Sequence, residues 1–209
     1  MVVGTLAGIW RYPVKSLRGE PLERAGVDAE GIPGDRASAL FVRRGHAREG
    51  KTFRGKEHAG LHRFSDAAAA AAALGGVDLE VRSGHRYFDD APISLLIDRW
   101  LDDLDAHVGY AVEPQRFRPN FFVRAAREFT TQESQLRGVA LRLGGVGLRV
   151  RGPIERCVTV TYHPQEEPAD AEILRFLAGR RNAWMGVYCD VVAPGVLSIG
   201  DALSLEDGN

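Results

Sequence analysis

RFRPNFFVRAAREFTTQESQLRGVALRLGGVGLRVRGPIERCVTVTYH, residues 116–163, is the stretch that decides the fold class. Within it RFRPNFFVRA, GVALRLGG, GLRVRG and RCVTVTYH read as four successive short strands, punctuated by glycine and proline. Short strands at this spacing predict a β-barrel or sandwich. Strand signals continue on both sides. VGTLAGIWRYPV (3–14) runs into a corner at Pro13, and DRASALFVRR (35–44) follows a Gly34-Asp35 turn. PLERAGVDA (21–29) alternates weakly, and VDLEVRSGHRYF (77–88) reads as a hairpin around Ser83-Gly84. GVYCDVVAPG (186–195) and VLSIGDALSLED (196–207) complete the strand set. Helices are few. Ala67–Ala73, with Ser65 and Asp66 as caps and Gly75-Gly76 as terminator, predicts a short one. Leu96, Trp100, Leu101 and Leu104 fall near a 3.6-residue period and predict another over Ala91–Gly109. Ala169–Ala178 predicts a third. The expected architecture is mainly β with a few short helices: a barrel over 91–209 and a smaller β-rich region over 1–90.

A chain of 209 residues with 44% hydrophobic and 26% charged residues is long enough to bury a core. Its net charge of −1 supplies no global field for nucleic acid or an anionic membrane, so neither partner is expected. Two cysteines are too few for a disulfide scaffold, and with no leader pattern in MVVGTLAGIWR they point to a cytoplasmic protein. Lys15, Lys51 and Lys56 are its only lysines; the remaining basic residues are arginines, whose planar fork suits phosphate and carboxylate.

A handful of positions carry candidate chemistry. YPVKS (12–16) places Lys15 and Ser16 just after a strand, where an ammonium, a hydroxyl and turn amides can hold a phosphate. A solvated turn is the alternative, and the same choice applies to Arg36 in GDR (34–36). In FRPN (117–120) a proline inside an apolar strand implies an edge or bulge, with Arg118 and Asn120 on one face. They read either as an anion site or as an ion-paired rim. Cys157 follows Arg156, whose charge favours thiolate. At the start of a strand it is either an inert wall residue or a ligand aimed into a pocket. Cys189, between Tyr188 and Asp190 in a valine-rich run, reads as a core thiol. No zinc pattern, nucleophile elbow or P-loop is present in the sequence. The loop from Gly45 to His62 gathers Lys51, Arg54 and Lys56 with His46, His58 and His62; it reads either as a solvated loop or as the border of a pocket entrance that admits an anionic substrate or an acidic redox partner, and the second is the expectation.

Taken in order, YPVKS, GDR, FDDAPIS (88–94), RFRPN, the Arg156-Cys157 pair before a β-branched run, VY (187–188) and IGD (199–201) resemble the MOSC family. The likeness covers nearly the whole chain and is to members with an N-terminal β-barrel extension, such as the mitochondrial amidoxime-reducing component and its bacterial relatives. The MOSC domain is also the C-terminal domain of molybdenum cofactor sulfurases. The resemblance implies a MOSC-type barrel and a molybdenum cofactor (molybdopterin), with Cys157 as both the metal's protein ligand and the catalytic residue. It places Lys15, Ser16, Arg36, Arg118 and Asn120 on the cofactor, and Arg156 and Tyr188 beside it. It further implies reduction of a small N-hydroxylated substrate with electrons from a separate reductase. A persulfide carrier on Cys157, a cofactor carrier or storage protein, and pyridoxal phosphate binding are the alternatives under the same likeness. The chain departs from its relatives at Ile97 and Asp98, at Thr130, Thr131 and Gln132, and in the GPIE lead-in to Cys157.

Overall fold

Val3, Leu6 and Ile9 are buried along the first strand, β1 (Val2–Arg11), while Thr5 and Ala7 are exposed. Their spacing of three departs from the period of two of a regular strand, and the pairing of β1 carries register shifts at Val2–Gly4 and Leu6–Gly8. The computed structural model describes residues 1–165 and 169–206. After β1 come β2 (Glu20–Pro21), β3 (Arg24–Val27), β4 (Ser38–Arg44), α1 (Ala67–Ala73), β5 (Asp78–Ser83), β6 (Ile93–Ile97), α2 (Asp102–Val108) and β7 (Phe121–Ala125). Then follow β8 (Ala140–Leu143), β9 (Val146–Glu155), α3 (Ala171–Arg180), β10 (Trp184–Ala193), β11 (Gly195–Ser198) and β12 (Ala202–Leu205). The expected strand end at Asp207 and the region end at residue 209 lie outside the described residues.

Seven strands close a barrel in the order β12-β8-β9-β10-β6-β7-β1, with β1 pairing back onto β12. Every neighbouring pair is antiparallel except β6–β7. Closure removes the sheet edges that a flat array would expose. The fold class is thus mainly β with a barrel, as expected. The barrel uses β1 from the first region together with six strands from the second. β2 extends one end of β1, and β3 pairs with β11 as a separate ribbon.

A second core lies beside the barrel. The β4–β5 ladder packs α1 against Leu17, Leu40, Val42, Phe53 and Leu61. Asp66 caps α1 by accepting from the Ala69 amide at 2.7 Å. The alanines at 67 and 70 are small enough to bury against the sheet.

Four expectations are corrected. Residues 93–97 form a strand, and only Asp102–Val108 is α-helical. All five residues of ISLLI are buried, because β6 is flanked by β10 and β7 and packed on both faces. A strand buried on both faces loses its alternation and resembles a buried helix in sequence. Gly109 does end α2, in the left-handed conformation. The hairpin is not at Ser83-Gly84: β5 pairs backwards with β4, and residues 84–92 carry no strand. RCVTVTYH is not a strand either; Val158–Thr161 forms a 3-10 turn, so Cys157 follows a strand rather than beginning one. Finally, Pro119 precedes β7, and Arg118 has φ of 52°. Arg118 and Asn120 therefore do not share a strand face.

Candidate functional site

A cleft of about 880 Å³ opens between one end of the barrel and the second core. Trp10 and Tyr12 come from the end of β1, Arg156 and Cys157 follow β9, and Tyr188 lies on β10. Lys15, Ser16, Arg36 and Arg118 enter from turns. Asn120 is absent from the cleft wall. Its side chain is nine-tenths or more buried and fully engaged: Oδ1 accepts from the Ser94 amide and hydroxyl and from Arg36, and Nδ2 donates to the Trp10 carbonyl. Asn120 thus holds the β1, β6 and β7 ends in register behind the cleft.

Five non-glycine residues among those described have positive φ, and Ser16 (70°), Arg36 (48°) and Arg118 (52°) all line the cleft. Backbone strain of this kind persists only where the surroundings enforce it, and it concentrates at functional sites. The enforcement is visible. The Ser16 hydroxyl accepts the Gly55 amide at 2.9 Å. The Arg36 amide donates to the Tyr12 carbonyl at 2.6 Å, and the Arg36 guanidinium pairs with buried Asp35.

Tyr12 is the plate on which the basic end is built. The guanidinium carbons of Arg36 and Arg118 lie 4.7 and 4.3 Å from its ring centroid. Its hydroxyl donates to the Pro119 carbonyl at 3.2 Å, and burial pushes it up to about 12 despite the arginines. It stays protonated at neutral pH and makes cation–π contacts to both guanidinium groups. Gly19 permits the ring to lie there, since a Cβ at that position would sit 2.4 Å from it.

The charges are unequally paired. Lys15 Nζ donates to Asp89 Oδ1 at 2.5 Å, and Arg36 has Asp35. Arg118 and Arg156 have no carboxylate partner among the described residues. Arg118 donates to the Leu17 carbonyl at 2.6 Å, and Arg156 to those of Met185 (2.7 Å) and Phe117 (2.9 Å). Arg156 is seated across Gly186, whose φ of 79° and lack of a Cβ leave room for it. Burial pulls both arginines down to about 10, which still leaves them charged at neutral pH. Arg118 Nη2 is buried with no hydrogen-bond partner. A buried unpaired donor costs roughly 1–3 kcal/mol, which an anion accepting from it would recover. Burial also pushes the Tyr188 hydroxyl up, as does the charge of Asp89.

Cys157 is exposed at the cleft, with Sγ 3.2 Å from Thr159 Oγ1. Cys189 is fully buried in β10, and burial drives its thiol far up, so it is locked as a thiol. Among the described residues no group of three or more His, Cys, Asp or Glu side chains could hold a metal ion. A metal at Cys157 would need most of its ligands from a cofactor. The donor set fits such a group: one accessible sulfur, which suits a soft-ligand metal, beside a cationic cradle with an unpaired donor. Of the basic loop, Arg54, Lys56 and His62 line the cleft, whereas His46, Lys51 and His58 do not.

The MOSC N-terminal beta barrel domain matches residues 3–83, and the MOSC domain matches residues 80–204, more than half the chain. The chain belongs to the MOSC family. MOSC domains are associated in general with the molybdenum cofactor. No curated protein matches the chain. Among solved structures, YuaD of Bacillus subtilis superposes with a TM-score of 0.59 at 17% identity, covering 100% of this chain and 98% of that one. A hypothetical protein gives 0.51 at 15% identity, covering 100% and 69%. YiiM of Geobacillus stearothermophilus gives 0.42 at 18%, covering 56% and 54%. At these identities the likeness of YuaD and the hypothetical protein is one of fold. No helix among the described residues is long and apolar enough to cross a membrane.

Several cleft residues carried no sequence assignment: Tyr12, Asp89, Glu113, Arg116, Thr159, Tyr162 and His163. Tyr12 sits inside the quoted YPVKS motif with the assigned Lys15 and Ser16, and Asp89 sits inside FDDAPIS, where no residue was assigned. Glu113 and His163 are 50 residues apart and meet only through the fold. No local spacing could have revealed them.

Proposed function

We propose that this MOSC protein binds the molybdenum cofactor, with the Cys157 thiolate as the metal's protein ligand, and reduces N-hydroxylated compounds. The single observation that carries the reading is the exposed Cys157 sharing a cleft with Lys15, Arg36, Arg118 and Arg156, where Arg118 Nη2 is buried and unpaired. Lys15, Arg36 and Arg118 would hold the anionic and polar edge of the cofactor, and Ser16 would add a hydroxyl. Arg156 keeps positive charge next to Cys157. Asn120, from behind the cleft, and Tyr12, against the guanidinium groups of Arg36 and Arg118, position these groups.

When bound, the cofactor supplies the two-electron chemistry that removes oxygen from an N–OH group. The net reaction is R–NH–OH + 2H⁺ + 2e⁻ → R–NH2 + H2O: the N–O bond breaks, the nitrogen is reduced, and the oxygen leaves as water. The electrons come from a separate reductase. A second reading has its own support in the exposure of Cys157: a reachable thiol can instead carry a persulfide for transfer.

The test is protein purified from a molybdopterin-competent host. About one molybdenum and one pterin per chain, with dye-driven reduction of benzamidoxime, is the expected result, the stoichiometry following from one thiolate ligand. Metal-free protein carrying sulfane sulfur on Cys157 supports the transfer reading instead, and protein with neither overturns both.

A further inference from the structure

Lys15 and Arg118 stand at the same basic end of the cleft in different states. Arg118 Nη2 is buried and unpaired, whereas the Lys15 ammonium is taken by Asp89. Asp89 lines the cleft too, and it reaches Lys15 from the solvent side: the Asp89 side chain is 71% exposed, that of Lys15 only 18%. The bond from Lys15 is the one hydrogen bond of the Asp89 carboxylate among the described residues. Burial is the largest influence on Arg36, Arg118 and Tyr188, and the Asp89 charge acts on all three as well. The carboxylate therefore covers the donors that an incoming anion would need.

The chain fixes the backbone around Asp89 and leaves its side chain free to turn. Residues 84–92 carry no strand. Just before Asp89, the Tyr87 amide donates to the Arg36 carbonyl at 2.8 Å, and its ring meets Phe41 edge-on with centroids 5.8 Å apart. Just after it, the Asp90 carbonyl accepts from Arg151 at 2.6 Å, and Ala91 is buried. Lys15 is anchored separately, its amide donating to the Ser38 carbonyl at 2.8 Å. Parting the two therefore needs a side-chain rotation and no unfolding. A pair with one partner this exposed is weak, because water solvates the carboxylate well when it leaves. An anion with two or more charges attracts the ammonium more strongly than a single carboxylate does.

We infer that Asp89 is a latch on the anion end of the cleft, holding Lys15 until a polyanion, a phosphate monoester or diphosphate, displaces it and takes the ammonium. The inference extends the cofactor reading, on which it rests, from which residues hold the phosphate to what that phosphate must displace. The shared chemistry is the phosphate group, whether it belongs to the cofactor or to a free compound. Asp89 thereby sets a threshold of charge for loading the cleft.

Calorimetric titration with pyrophosphate, on protein from a host that makes no molybdopterin, tests the latch without turnover. Asp89→Asn is expected to bind pyrophosphate about two- to fivefold tighter than wild type, the scale of an exposed ion pair. Asp89→Ser repeats the test should the Asn variant fail to fold. Asp90→Asn removes the same charge from the adjacent residue, which faces Arg151 at 3.6 Å and lies outside the cleft wall, and it should leave the affinity unchanged. In a Lys15→Gln background the gain from Asp89→Asn should shrink or vanish. Unchanged or weaker binding in both Asp89 variants overturns the inference, weaker binding making Asp89 a strut that orients Lys15. An equal gain in Asp90→Asn overturns it too, as a general charge effect, and so does the absence of saturable binding in every variant. Protein that takes up no molybdenum in a molybdopterin-competent host counts against the cofactor reading alone, and assigns the site to a free phosphate compound if the pyrophosphate titration still shows the latch.

Discussion

Replacing Arg118 by Met separates a structural arginine from a ligand-binding one. The substitution keeps an unbranched apolar stem and removes the guanidinium with its charge. Three things change in the protein without ligand. The 2.6 Å hydrogen bond to the Leu17 carbonyl is lost, at about 1.5–3 kcal/mol for a charged donor. The contact with the Tyr12 ring at 4.3 Å is lost, at roughly 0.5–2 kcal/mol. Against these, burial of a guanidinium whose Nη2 has no partner is relieved, a gain of about 1–3 kcal/mol for the donor alone. The large terms oppose one another, so unfolding stability is expected to fall by about 1.5 kcal/mol at the middle of these ranges, and by no more than about 4 kcal/mol. Anion binding has no such offset. An anion that accepts from Nη2 loses a charge-assisted bond of about 1.5–3 kcal/mol, which is roughly 10–150-fold in Kd. The assay is calorimetric titration with pyrophosphate, paired with the thermal midpoint in its absence and presence. Unchanged pyrophosphate affinity in the variant, with a large loss of stability, would refute the reasoning and make Arg118 a prop for the Leu17 turn.

Two further predictions use other parts of the structure. Burial, with the charges of Arg118, Arg63 and Arg116, lowers His62 against the hydrogen bond to the His163 carbonyl, so below its ordinary value of 6.5 the unfolded chain takes up this proton before the folded one does. Stability therefore rises with pH across that window and is lost as pH falls through the folded value; His62→Gln should flatten the dependence just below pH 6.5, read from urea midpoints at several pH values. Cys189→Ser puts a hydroxyl at a fully buried position of β10 and should lower stability by roughly 1–3 kcal/mol, with metal content per folded molecule retained.

The barrel was readable because its half-exposed strands alternate, as β9 does with Leu148, Val150 and Ile154 inward and Arg149, Arg151 and Glu155 outward. β6 was not, because a strand covered on both sides has no alternation to show, and Leu96 with Trp100, Leu101 and Leu104 happens to span strand, 3-10 turn and helix at helical spacing. RCVTVTYH misled in the opposite way: β-branched residues suit a strand, yet Val160 and Thr161 are buried as a turn. At the site, the motifs located the turn residues Lys15, Ser16, Arg36 and Arg118, which the fold brings around one cleft. What spacing could not show was their arrangement: Tyr12 under two guanidinium groups, Asn120 turned into the wall, and Glu113 joined to His163. Those relations exist only once β1, β7 and the turn after β9 are assembled.

The central claim is that Cys157 is the protein's hold on a metal. Molybdenum content of wild type and Cys157→Ser, both purified from a molybdopterin-competent host, measures it most directly. Cys157 is exposed and supports no core contact, so the variant should keep the wild-type thermal midpoint while its molybdenum falls from about one per chain to a small fraction of that. A folded Cys157→Ser protein with as much molybdenum as wild type would contradict the claim.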